Sequence, residues 1–202
     1  MYKPNNKITI IGVLLAFLLW YFVFLSELLF SFWYRVTAAS IILAAYAYIY
    51  GGFKVDSSQF LKESVLGLGS GVLLYILFYL GFNLFRAFVA VGASNVYLFR
   101  TELPLVIPAG LLLITSFCEE FFWRKYTQKN LVQTYRAKGI IITSVLYAAI
   151  HVSTNNIPLV FAALIAGLFW GIIYEHTDSF WIIVFSHIAW TELIFVFLPL
   201  TG

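Results

Sequence analysis

Residues 103–122 read LPLVIPAGLLLITSFCEEFF. The first sixteen of them, 103–118, carry no charge, and the whole stretch has the length of a membrane-crossing helix, which needs about 20 mostly apolar residues. Its end is unlike an ordinary helix end. Glu119 and Glu120 stand side by side between Cys118 and Phe121, and Arg124 follows one turn after Glu120.

Outward from this stretch, further apolar segments run from Ile8 to Phe24, Val36 to Tyr50, Val65 to Phe82, Ile140 to His151, Leu159 to Tyr174 and Phe180 to Leu200. An aromatic, Arg-containing stretch between Gly81 and Thr101 reads as interfacial or as a further short helix. The composition agrees with this reading. Of the 202 residues 62% are hydrophobic and only 10% charged, where a soluble domain carries roughly a quarter charged, so a soluble globular fold and disorder are both excluded. The expected fold is all-α, a polytopic membrane bundle of about seven to eight transmembrane helices. It forms one membrane-embedded domain, 1–202, with a motif-bearing core at about 103–200, and the expected location is a multi-pass position in the cell membrane.

The first apolar segment follows Lys3 and Lys7, as in a signal peptide. No small-x-small cleavage site comes after it, since the chain continues Leu25-Ser26-Glu27-Leu28-Leu29-Phe30, so it reads as a retained anchor. With seven spans and the N-terminus inside, Lys3, Lys7, Lys54, Lys62, Arg124, Lys125, Lys129, Arg136 and Lys138 share one side, against Arg35, Arg86 and Arg100 on the other. That imbalance favours a cytoplasmic N-terminus. The net charge of +3 is small, no basic run interleaved with aromatics marks a nucleic-acid groove, and the single cysteine, Cys118, excludes an intrachain disulfide and a thiolate zinc cluster. Expected partners are the lipid bilayer and a peptide or protein substrate, with no nucleic acid.

Ionisable groups inside the hydrocarbon layer are costly and face the bundle interior. Here they are Glu119, Glu120, His151 and His187, from three separate apolar segments, with Glu192 shortly after. Glu120 and Arg124 are four apart and share a helix face, which suits an ion pair. Glu119 points about 100° away and is the candidate general base toward a cavity. The midpoint of positions 119 and 151 is 135, in the polar stretch Asn130 to Lys138. A hairpin turn there would bring Glu119 and His151 to similar depth, about 24 Å from the turn. A helix running beyond the bilayer to about Asn130 reconciles that depth with a cytoplasmic turn. Tyr147 lies one turn before His151 and either orients its ring or packs. His187 and Thr191, one turn apart, would offer hydrogen bonds to a developing oxyanion.

Glu119-Glu120-x-x-x-Arg124, Tyr147-x-x-x-His151 and His187-x-x-x-Thr191 resemble, in order and spacing, the three motifs of the CAAX prenyl protease and bacteriocin-processing (CPBP) family, membrane-embedded endopeptidases whose pattern reads EExxxR, FxxxH and HxxxN or HxxxD. The resemblance covers about the last 100 residues. It implies that Glu119 activates a water, that His151 helps hold it, and that His187 stabilises the oxyanion, with Glu120 and Arg124 supporting them. It also implies a membrane-associated peptide substrate, prenylated CAAX peptides included. Two positions depart from the pattern. Tyr147 replaces Phe and keeps the ring, while Thr191 replaces Asn or Asp and loses an amide donor.

The resemblance leaves the cofactor open. One reading assigns none; the other is zinc held by Glu119, His151 and His187, with water in the fourth position. That second reading lacks an HExxH helix and a good ligand at Thr191. The competing function is a non-catalytic member with an immunity or scaffold role, and an ion path ranks behind both. His176, with Glu175 and Asp178, reads as a solvated turn, Cys118 as a packing residue, and most aromatic residues as lipid contacts or interfacial belts.

Overall fold

In a computed structural model the described residues are 6–25, 30–52 and 54–201. Lys3 and the positions 26–29 beyond the first apolar segment lie outside them. Among the described residues there is no strand. The helices are α1 (Asn6–Leu25), α2 (Phe32–Gly51), α3 (Phe60–Leu84), α4 (Arg86–Tyr97), α5 (Val106–Glu120), α6 (Lys129–Tyr135), α7 (Lys138–Ala149), α8 (Ile157–Thr177) and α9 (Phe180–Thr191). Among the described residues six segments are long and apolar enough to cross a membrane: Asn6–Phe24, Phe32–Gly51, Phe60–Leu84, Val106–Tyr135, Ile157–Thr177 and Phe180–Phe197. The expected stretch Ile140–His151 lies within a shorter apolar helical segment, Lys138–Thr154. The ambiguous region before Thr101 is α4 followed by a 3-10 turn, Leu98–Thr101.

Local chemistry sets the boundaries. The hydroxyl of Ser31 and the side chains of Asn156 and Ser179 cap the first turns of α2, α8 and α9 by accepting from Trp33, Leu159 and Ile182 N–H. Left-handed residues separate the closing helices: Asn155 (φ 51°) precedes α8 and Asp178 (φ 48°) follows it. The α6–α7 hairpin turns at Arg136 (φ 53°), one residue from the midpoint the sequence gives. A Cβ on Gly139 would lie 2.5 Å from the Val132 backbone nitrogen, so the turn closes this tightly only around glycine.

The bundle packs α3 along α9, α7 along α8, and α2 on both α1 and α5, with α5 also on α9. Gly67 lets the backbones of α3 and α9 meet; a Cβ there would lie 2.6 Å from the Ile182 carbonyl oxygen. Small residues at such crossings suit helix association in lipid, where apolar burial gives no driving force. The outer faces carry exposed apolar side chains such as Ile10, Leu14, Leu61, Leu73 and Phe161.

A π-helical segment, Phe121–Gln128, joins α5 to α6, making Val106–Tyr135 a continuous 30-residue rod. At about 1.5 Å per residue it spans roughly 45 Å, against about 30 Å of hydrocarbon. Gly51, at the end of α2, sits against the Tyr126 ring, so the rod projects beyond its neighbour by the length of α6. Glu119 therefore lies only about 10 Å below the end of α2, although it is 16 residues from Tyr135.

Candidate active site

Glu120 and Arg124 are fully buried, on successive turns where α5 passes into the π-helical segment. The Arg124 Nε lies 3.3 Å from Glu120 Oε2, an ion pair without the alignment of a hydrogen bond. Glu120 Oε1 accepts from His187 Nδ1 at 2.8 Å. One carboxylate thus spans a guanidinium and an imidazole, tying α5 to α9. The remaining guanidinium nitrogens have no hydrogen-bond partner among the described residues, and the group lies over two rings instead, with its carbon 5.0 Å from the Tyr147 centroid and 5.8 Å from that of Trp170.

His187 is held on a second side by Trp170, whose ring stacks on it at 3.9 Å and 21° and whose indole N–H donates to Ser186 Oγ at 3.1 Å. With Nδ1 committed to Glu120, Nε2 is the ring nitrogen left for chemistry. Glu119, on the adjacent face, accepts a 2.8 Å hydrogen bond from the Tyr147 hydroxyl at Oε2. Tyr147 meets the carboxylate rather than only orienting His151 or packing. The α5–π–α6 rod explains the register. A π turn packs more residues into each turn than an α turn, so Glu119, 16 residues before Tyr135, faces Tyr147, 12 residues after it.

His151 follows one turn later, in the 3-10 segment Ile150–Thr154. Its Nδ1 donates to the Tyr147 carbonyl at 2.9 Å, which fixes the tautomer, and Nε2 accepts from the Trp20 indole at 3.4 Å. Thr191 turns its hydroxyl to its own helix, donating to the carbonyls of His187 (2.9 Å) and Ile188 (3.1 Å), with Ser116 Oγ 3.3 Å away. Glu192 stands apart at the start of the π segment Glu192–Phe197, and its Oε1 has no hydrogen-bond partner among the described residues.

Glu119, Tyr147, His151, His187 and Thr191 line one cavity of about 710 Å³. It runs beneath α4, where Phe85, Phe88, Val89 and Gly92 form its wall, and its lining is overwhelmingly apolar. Its volume falls in the range of small-ligand sites. Glu120 and Arg124 are not on its lining. Among the described residues no three of His, Cys, Asp and Glu come together as a metal-binding group. Glu119, His151 and His187 share the cavity without converging as ligands, so the residues as placed do not fit the zinc reading.

Three aromatic residues complete the site without a sequence signal. Trp20, Trp123 and Trp170 are buried at 1%, 0% and 0% exposure and pack on His151, Tyr147 and His187. Reading the aromatics as lipid contacts fails for these three. In a chain that is 20% aromatic, a buried indole is indistinguishable from a belt residue.

Residues 101–192 match the family model described as Rce1-like, type II CAAX prenyl endopeptidase Rce1-like. All three motifs and the whole polar cluster fall inside that segment. Over it, the chain is similar to the Rce1-like family. That family is one of proteases, and the similarity, together with six apolar helices of spanning length among the described residues, indicates an integral membrane protein. Searches of the curated proteins and of the solved structures found no match.

Proposed function

We propose that this Rce1-like protein is an intramembrane endopeptidase in which Glu119 activates water for peptide-bond hydrolysis. The carrying observation is the placement of the Glu119 carboxylate on the wall of an apolar cavity, aimed by the Tyr147 hydroxyl, beside an imidazole oriented by the Glu120–Arg124 pair. Glu119 takes a proton from water as the oxygen attacks the scissile carbonyl. The C=O pair moves to oxygen, and His187 in its imidazolium form, with Nδ1–H on Glu120, donates Nε2–H to the resulting oxyanion. Glu119 then passes the proton to the leaving nitrogen as the C–N bond breaks. His151 borders the same space; its 3.4 Å contact with Trp20 is weak enough for a water to replace.

The apolar run beneath α4 supports a substrate that brings an apolar group with its peptide, the prenylated CAAX peptide named by the family being the first class to test. The expected location is the cell membrane. Zinc enters no step here. A second reading, a non-catalytic member with a scaffold or immunity role, draws on Thr191, whose hydroxyl is engaged by its own helix backbone. Purified protein in lipid vesicles, given prenylated and unmodified peptides with and without chelator, separates these readings. Cleavage of the prenylated peptide that survives chelation supports the proposal. Absence of cleavage across the panel supports the second reading, and loss on chelation with recovery on adding zinc would overturn the metal-free route.

A further inference from the structure

A second cavity, of about 420 Å³, shares no lining residue with the first and lies between the α5–π–α6 rod and the end of α2. Its lining includes Gly51, Lys54, Phe121, Lys125, Tyr126 and Lys129. Three of the chain's twelve basic residues thus converge on one hollow, and no carboxylate is on its described lining. Lys125 and Lys129 are four apart on one rod, a like-charge spacing that destabilises a helix when uncompensated. Among the described residues none of the three lysines is in an ion pair, and the charges that act on Lys125 are those of Lys129 and Asp178.

The hollow is amphipathic. Ala47 and Phe121 are buried apolar walls, while the lysines stand at the side where α2 ends and the rod continues outward. Gly51 against the Tyr126 ring marks that boundary level. This is the lining a phospholipid needs: ammonium groups for a phosphate at the membrane edge and an apolar wall below it for the start of the acyl region. Basic pockets between spanning helices bind anionic headgroups in this way. A soluble acidic peptide would gain nothing from the apolar wall.

We infer that the Lys54–Lys125–Lys129 cavity is a binding site for the phosphodiester headgroup of an anionic phospholipid, separate from the hydrolytic cavity.

The test is native mass spectrometry of the full-length protein released from detergent with equal amounts of phosphatidylglycerol and phosphatidylcholine. Wild type retains phosphatidylglycerol with a preference of about tenfold or more, and the triple variant Lys54→Gln, Lys125→Gln, Lys129→Gln loses that preference. A charge-matched control, Lys7→Gln, Lys62→Gln, Lys138→Gln, removes three lysines from outside the lining and keeps the preference. Equal retention of both lipids by wild type, an unchanged preference in the first variant, or an equal loss in the control would overturn the assignment. Displacement of the lipid by millimolar inorganic phosphate would reassign the site to a soluble anion and overturn the lipid source.

Discussion

Replacing Arg124 by Met tests the buried network at its most exposed link, energetically speaking. The guanidinium and the Glu120 carboxylate are both fully buried, so the substitution leaves an anion with only His187 Nδ1 opposite it. Breaking a buried pair by removing one partner costs about 3–5 kcal/mol, because the remaining charge keeps its desolvation penalty. The loss of two ring contacts, to Tyr147 and Trp170, adds to this. The companion variant Glu120→Gln strands the cation instead and is expected to cost a similar amount. Removing both charges, Glu120→Gln with Arg124→Met, relieves the penalty, so the double variant should be less destabilised than the sum of the singles by about 1–3 kcal/mol. Reversible unfolding of the purified protein in mixed micelles, followed by circular dichroism, measures all three. Single variants within about 1 kcal/mol of wild type, or costs that simply add, would refute the network.

Tyr147→Phe installs the residue of the family pattern and removes one hydrogen bond to a carboxylate, an interaction of about 1.5–3 kcal/mol. It should lower kcat by roughly 10- to 100-fold with KM little changed, and an unaltered kcat would show that the hydroxyl does not position Glu119. Thr191→Asn gives the third motif its amide donor, so steady-state cleavage should be maintained or raised; a severe loss would contradict the oxyanion role that the motif pattern gives this position. Gly67→Val drives a side chain into the Ile182 carbonyl on α9 and should destabilise the fold by about 1–3 kcal/mol or more, read in the same micelle assay; wild-type stability would mean that α3 and α9 do not cross there.

Several features were legible before any coordinates. Adjacent acids at 119 and 120 differ by 100° of helix rotation, and that alone separates the residue paired with Arg124 from the one facing the cavity. The polar stretch Asn130 to Lys138 announced a hairpin, and the chain does reverse at Arg136. The reach of the 30-residue rod past α2 answers how Glu119 can be far from the turn yet close to one end of the bundle. The partner of Glu119 was not legible, because a π turn leaves no composition mark and yet shifts the register from His151 to Tyr147. Nor was the role of Trp20, which reaches His151 across 131 positions of sequence. Such a contact depends on how α1 packs on the segment after α7, and neither periodicity nor spacing carries that information.

The most direct measurement compares single-turnover cleavage of a prenylated peptide by wild type and Glu119→Gln in the same vesicles, with micelle unfolding as the control for fold. Glutamine keeps an oxygen for the Tyr147 hydroxyl and cannot take a proton from water. The account predicts unchanged stability and a rate lowered by about 100- to 10,000-fold, the usual weight of a general base. A Glu119→Gln protein that cleaves within a few-fold of wild type would contradict it.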